Sequence, residues 1–142
     1  MFPKGSKDNE SVSFPMPERI VSELLCEIST LAELKVTLFV ARVTSQHPAG
    51  FSCISINEFV NGIKDKDGNI ISKGVGLARQ HVIRGIRLAE KRGTILTYTT
   101  GSKGKQTRWY FWNTEENRKL VQALKEKQIS IDELVKSQES LF

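Results

Sequence analysis

The sequence predicts a mainly α-helical domain with a small β-wing, and three observations carry this prediction. Within the stretch from Gly74 to Gly93, the apolar residues Val82, Ile86 and Ala89 recur at the spacings of a helix face. Gly93 then provides a helix stop. Two strand-like runs follow, T-I-L-T-Y-T-T and T-R-W-Y-F-W, separated by a loop rich in Gly and Lys. A basic helix that leads into a ribbon with a basic tip is the layout of a winged helix-turn-helix DNA-binding domain.

The chain is expected to form one domain with short appendages, since it has 142 residues and its 39% hydrophobic content is enough for a core. Residues 1–16 show little periodicity and are predicted to be a flexible N-terminal arm. The winged-helix domain is assigned to residues 17–127, with the recognition helix at about 78–92 and the wing at about 94–112. Residues 128–142 are assigned to a short C-terminal helical tail.

Two helices are predicted in the first third of the domain. Pro17 suits a first helical turn, and apolar residues from Ile20 to Ile28, Leu25 among them, form the stripe of a helix ending near Ser29. The run T-L-A-E that starts at Thr30 is a capping box. The helix after it is apolar nearly all round, as expected of a helix at the centre of a small domain.

The next segment predicts a short strand, F-S-C-I-S, and then a third helix. Ser55 and Glu58 form a second capping box, and Phe59, Val60 and Ile63 are expected to face inward from that helix. The Asp-Gly pair that follows suits the tight turn of a small hairpin. The same loop resembles a calcium loop, but its first and twelfth positions are Ile and Gly and cannot supply the oxygen ligands, so calcium binding is not expected.

Basic charge is concentrated in one part of the chain. Between Lys64 and Arg108 there are 11 Lys or Arg and 3 Asp or Glu, a net charge of +8, whereas the whole chain carries +5. The remaining residues are therefore acidic overall, with a net charge of −3. Such a distribution favours a face that binds a polyanion, and a solvated basic surface is the alternative interpretation.

The outward face of the predicted recognition helix provides the first candidate DNA contacts. Arg79, Gln80 and Ile83 lie near the helix start, where base edges are usually reached, and Ile83 offers an apolar contact to a thymine methyl. Arg84 and Arg87 lie further along and suit phosphate contact or the next base. The guanidinium fork matches both a phosphate and the O6/N7 edge of guanine.

The ribbon provides the remaining candidates. Lys103 and Lys105 lie in a glycine-containing tip that suits phosphate or minor-groove contact, and Arg108 is expected to face outward from the second strand. A hairpin with solubilising lysines is the alternative. The aromatic run from Trp109 to Trp112 suits either a stacking platform for single strands or, by period-two alternation, a half-buried strand with Trp109 and Phe111 as its buried pair.

Several function classes lack support in the sequence. Cys26 and Cys53 are expected to be reduced, largely buried thiols, and with His47 and His81 they show no ligand spacing for a metal. No nucleophile–base motif, phosphate loop or carboxylate pair is found, so we predict no enzyme activity and no cofactor. No signal peptide and no apolar run of membrane-spanning length is present, so a cytoplasmic protein without membrane association is expected.

Five segments of the chain, taken in order, resemble one protein family. They are L-A-E-L-K-V-T-L, I-S-I-N-E-F-V-N-G, the K-D-G and G-V-G-L pair, V-I-R-G-I-R-L-A-E-K-R-G-T-I, and R-W-Y-F-W-N-T-E-E-N-R. Together these segments, spread over residues 18–125, resemble the N-terminal winged-helix domain of phage replication proteins of the O type and of DnaD-like primosome components.

The resemblance implies double-stranded DNA binding in replication initiation or primosome assembly, with a replicative helicase or loader as a partner and a homodimer or larger assembly. By position it implies recognition-helix contacts by Arg79, Gln80, Arg84 and Arg87 and wing contacts by Lys103 and Lys105. Ala78 departs from the family pattern, because such helices commonly start with Ser or Thr. A transcriptional regulator of the same fold and a protein-interaction module without DNA binding remain as alternatives.

Overall fold

The computed structural model describes residues 15–47, 50–101 and 104–139. For residues 137–139 it describes the backbone but not the side chains. These ranges form a small α+β domain. In chain order its elements are α1 (a π-helical turn, Ile20–Leu24, that continues as an α-helical turn, Leu25–Glu27), α2 (Leu31–Gln46), β1 (Phe51–Cys53), α3 (Ile56–Asn61), β2 (Ile63–Lys64), β3 (Ile70–Ser72), α4 (Arg79–Arg92), β4 (Ile95–Thr100), β5 (Thr107–Trp112), α5 (Glu115–Lys125) and α6 (Ile131–Glu139).

The strands form two antiparallel sheets. The larger sheet has the order β1-β5-β4, and the smaller is the β2–β3 hairpin. In the larger sheet Phe51 lies opposite Phe111, and Ile95 lies opposite Trp112. The β2–β3 turn is held by the carboxylate of Asp65, which accepts hydrogen bonds from the backbone amides of Asp67 and Asn69 at 2.9 Å. This hairpin occupies most of the long connection between α3 and α4.

The central strand β5 separates two hydrophobic cores. Tyr110 packs into the first core, which holds residues of α2, α3 and α4, and Phe111 packs into the second, which holds residues of β1, α5 and α6. Both side chains are fully buried, whereas Trp109 and Trp112 are half-buried. The prediction that Trp109 and Phe111 form the buried pair is therefore wrong for Trp109. Period-two alternation assumes one covered face, and helices cover both faces of this strand.

Helices α2 and α4 cross at very short range. A Cβ atom placed on Gly85 of α4 would lie 2.6 Å from the carbonyl oxygen of Ala32 in α2 and 2.9 Å from a methyl group of Val36. Only glycine fits at this position without a shift of one helix. The predicted apolar stripe of α4 is confirmed on the same side, since Val82 and Ala89 are both 0% exposed.

The capping signals of the sequence are confirmed in part. Thr30 accepts a hydrogen bond from the amide of Glu33, but the Glu33 carboxylate binds Arg92 and does not complete the predicted capping box. Ser55 and Glu58 form the complete capping box predicted for α3, and Thr114 caps α5. Ala78, at the N-cap position of α4, makes no side-chain hydrogen bond, as its chemistry requires.

Three placements differ from the sequence predictions. Leu25 is 53% exposed, because neighbouring helical residues point about 100° apart and Ile20 and Leu24 take the inward side, packed on Ala41 of α2. Ile63 belongs to β2 and not to the preceding helix, since Gly62 with a φ of 98° ends α3. Cys26 and Cys53 are free thiols but are exposed and not buried, Cys26 on the outward side of α1 and Cys53 at the last position of the short strand β1.

The structure describes little of the predicted N-terminal arm and most of the predicted C-terminal tail. The predicted arm, residues 1–16, lies outside the described ranges except for Pro15 and Met16. At the other end α6 is anchored on the domain through Ile131, which is buried in the second core. Among the helices of the described ranges, none combines the length and apolar character needed to cross a membrane.

Candidate nucleic-acid interface

Helix α4 presents a polar face opposite its buried stripe. Its predicted arginine and glutamine contacts are all exposed, namely Arg79, Gln80, Arg84 and Arg87. Ile83 lies between them and is half-buried. Within the described ranges, none of these three arginines forms an ion pair with a carboxylate. The face therefore carries three guanidinium groups without an ion-pair partner.

The exposed residues of α4 fall into two rows. Successive helical residues are rotated by about 100°, so Arg79, Ile83 and Arg87 follow one another along the side that faces the β4–β5 ribbon. Gln80 and Arg84 lie further round the helix and point away from the ribbon. The row of Arg79, Ile83 and Arg87 therefore lies beside the ribbon. The side chains of Gln80 and Arg84 are accessible to a partner such as the major groove of DNA.

A groove of about 710 Å³ lies between α4, the start of α3 and the ribbon. Its floor is apolar and its rim is polar and basic. The lining residues are Ile54, Ser55, Ile56, Asn57, Arg79, Ile83, Ile86, Arg87, Glu90, Thr99, Gln106, Arg108 and Tyr110. The fold therefore brings three of the predicted arginines, two from α4 and one from β5, to a single concave surface.

Arg108 is exposed on β5, as the sequence predicts, but it has a carboxylate neighbour. Its Nη1 atom lies 3.9 Å from Oε1 of Glu90, and both side chains are partly exposed. The hydroxyl of Thr97 donates a hydrogen bond to the other oxygen of Glu90 at 3.4 Å. Glu90 was not predicted from the sequence as a site residue. Its position three residues after Arg87 was the available signal, since residues at that spacing share a helix face.

Tyr110 lies beneath the same groove. Its hydroxyl is buried and has no hydrogen-bond partner among the described residues. Burial raises the pKa of this phenol above its ordinary value, and the positive charge of Arg108 opposes part of the rise. The phenol is therefore neutral at physiological pH.

The basic residue at the end of α4 has a structural role. Arg92 donates a hydrogen bond from Nη2 to Oε1 of Glu33 at 3.0 Å and a second, shorter one from Nε to Oε2. Its Nη1 atom also lies 3.8 Å from Glu27. Hydrogen bonding to the Glu33 carboxylate raises the pKa of Arg92 further above its usual range. Arg92 thus contributes little to the positive field of the exposed face.

The tip of the ribbon is described only in part. Lys105 is exposed after Gly104, whereas Lys103 lies outside the described residues. Gly101 and Gly104 both have positive φ, 99° and 89°, which the turn requires. No group of three or more His, Cys, Asp or Glu side chains within the described ranges is placed to hold a metal ion.

The sequence matches no family model, and neither a curated protein nor a solved structure matches the chain.

Proposed function

We propose that this chain is a winged helix-turn-helix domain that binds double-stranded DNA. In this assignment α3 and α4 are the helix-turn-helix, with the β2–β3 hairpin inserted between them, and β4–β5 is the wing. The observation that carries the proposal is the division of α4 into a fully buried apolar face and an opposite face with three arginines that lack ion-pair partners. A polyanion with a groove wide enough for a helix fits such a face.

The two rows of exposed residues on α4 suit different parts of the DNA, the bases and the phosphates. Gln80 and Arg84 point away from the body of the domain, so they suit base edges in the major groove, where Gln pairs with adenine and Arg with guanine. Arg87 and Arg108 both line the groove beside the ribbon and suit the phosphates of one strand. Lys105 extends this basic surface toward the wing tip.

The resemblance supports a role in replication initiation or primosome assembly. In that role a replicative helicase or its loader would be the protein partner, and the DNA site would be a replication origin. A transcriptional regulator would use the same DNA-binding face. Stimulation of helicase loading on an origin-containing template would support the replication role, whereas site-specific repression without it would favour the regulator.

The direct test is titration of the full chain against a labelled duplex and a single strand of equal length, at two salt concentrations. We expect duplex binding that falls steeply with salt. The double variant Arg84→Ala/Arg87→Ala should bind more weakly. It should flatten the slope of log K against log salt by roughly 0.9, the value of the one phosphate contact assigned to Arg87, because Arg84 is assigned to a base edge.

A matched control keeps the same change in charge. Lys119 and Lys125 are exposed on α5 and line no part of the groove. The variant Lys119→Ala/Lys125→Ala should therefore retain most of the affinity and the slope. Equal effects of the two double variants would exclude α4 as the contact surface. Binding to neither nucleic acid would favour a protein-interaction module.

A further inference from the structure

We propose that Glu90 is an internal competitor for DNA: its carboxylate occupies Arg108 in the free protein and thereby limits the affinity of the groove for phosphate. This inference rests on the proposed DNA-binding function and specifies how it is regulated from within the site. It assigns a role to an acidic residue in a surface that otherwise suits an anion.

The composition of the groove is the first argument. Among the described residues that line it, Arg79, Arg87 and Arg108 are cationic and Glu90 is the single acid. A phosphate placed between Arg87 and Arg108 would therefore have one like charge beside it, supplied by the same helix that carries two of the arginines.

The contacts of Glu90 are the second argument. One carboxylate oxygen faces Arg108 at 3.9 Å, and the other accepts the hydrogen bond of Thr97. Arg108 and Thr97 both belong to the ribbon, so Glu90 bridges α4 to the ribbon at the place where a phosphate would enter. At 3.9 Å Glu90 forms an ion pair with Arg108 but no hydrogen bond, so it is a weaker partner for the arginine than a phosphate oxygen would be.

The ion pair between Glu90 and Arg108 is weak enough for a phosphate to replace Glu90. The side chains of Arg108 and Glu90 are 47% and 36% exposed, and ion pairs this exposed contribute little to stability. A phosphate can therefore displace the carboxylate. In contrast, Glu33 is buried and holds Arg92 by two hydrogen bonds. The Arg92–Glu33 pair therefore suits a rigid contact, whereas the Arg108–Glu90 pair suits exchange.

The variant Glu90→Gln tests the proposal, because it removes the charge and preserves the shape. We expect duplex affinity to rise roughly two- to fivefold at low salt, because this is the fold-change that corresponds to the free energy of an exposed ion pair. The slope of log K against log salt should change little, since Arg108 contacts a phosphate in both complexes. Glu116→Gln, an exposed change of the same charge on α5, should raise the affinity only by a small long-range effect.

The second arm combines Glu90→Gln with Arg108→Ala. Because Glu90 is proposed to act through Arg108, its gain should vanish in the Arg108→Ala background. A gain of the same size there would mean simple repulsion of DNA by Glu90 and would overturn the proposal. A fall in affinity for Glu90→Gln alone would also overturn it, since Glu90 would then be a direct contact to DNA.

The failure of this inference is distinguishable from that of the proposed function. If wild type binds duplex DNA and Arg84→Ala/Arg87→Ala weakens this binding, the proposed DNA-binding face is supported, whatever the effect of Glu90→Gln on affinity. Unchanged affinity in Glu90→Gln under those conditions would remove only the competitor role. If wild type binds no duplex at all, both proposals fail together.

Discussion

Arg92 at the last position of α4 donates two hydrogen bonds to the carboxylate of Glu33, which lies almost fully buried in the first turn of α2. The two residues are 59 positions apart in the chain. Their contact fixes the end of the proposed recognition helix against the central helix. It also explains why a carboxylate can lie buried in this domain, since a buried charge requires a hydrogen-bonded partner.

The variant Arg92→Ala should lower thermal stability more than Arg84→Ala or Arg87→Ala does, because it leaves the Glu33 carboxylate buried without its partner. Thermal unfolding of the three variants followed by circular dichroism measures this order. Salt-slope measurements on folded Arg92→Ala should give the wild-type value, because Arg92 is not assigned to DNA. A flattened slope would instead place Arg92 on the DNA.

Gly85→Ala should destabilise the domain by about 1–3 kcal/mol, the usual cost of overpacking, since the new Cβ would meet the backbone of Ala32 at 2.6 Å. Helix propensity alone predicts the opposite sign, a gain of about 0.8–1.0 kcal/mol. Denaturant unfolding decides between the two effects. His81→Ala, at an exposed position of the same helix, is the control and should be close to neutral.

Ala78→Ser should stabilise the domain by about 0.5–2 kcal/mol. The backbone of Ala78 already has the extended conformation of an N-cap residue, with φ −68° and ψ 158°, and lacks only a side-chain acceptor. Urea unfolding of wild type and variant measures the gain. Ala78→Val, which supplies a side chain without an acceptor, should give none, so an equal gain in both variants would refute the capping explanation.

Tyr110→Phe should leave stability at pH 7 unchanged or raise it by up to about 1 kcal/mol, because the hydroxyl it removes is buried without a partner. The raised pKa gives a second expectation. In wild type the unfolded phenol ionises near its ordinary value of 10.0 and the folded one only above it, so the free energy of unfolding falls as pH rises beyond 10. In Tyr110→Phe the free energy of unfolding should lack the part of this fall that is due to Tyr110. Unfolding curves of both proteins between pH 8 and about 11 would show the difference.

Much of α4 and of the site was predictable from the sequence, for a physical reason. A helix that packs on one side shows its buried face in the spacing of Val82, Ile86 and Ala89, and a glycine marks its end. The exposure of Arg79, Arg84 and Arg87 follows from the same geometry. Capping boxes were equally informative, since they depend on residues only three positions apart.

The features that escaped prediction depend on contacts between distant parts of the chain. Burial of Tyr110 requires that helices cover both faces of β5, which alternation within one strand does not reveal. The pairing of Arg92 with Glu33 and the bridge from Glu90 to Arg108 arise only when the helices and ribbon are packed. The exposure of Leu25 follows from the packing of Ile20 and Leu24 on Ala41 of α2, which the apolar spacing of α1 alone did not indicate.

The position of β5 in the sheet also governs the order in which the domain can be completed during synthesis. Strand β1 at residues 51–53 pairs only with β5, at residues 109–111, so it has no partner until more than fifty further residues have been made. Tyr110 and Phe111, which join the two cores, arrive at the same late moment. A ribosome-bound chain that stops before the ribbon would therefore expose the apolar surfaces of both cores, and the domain is expected to fold in one late, concerted step.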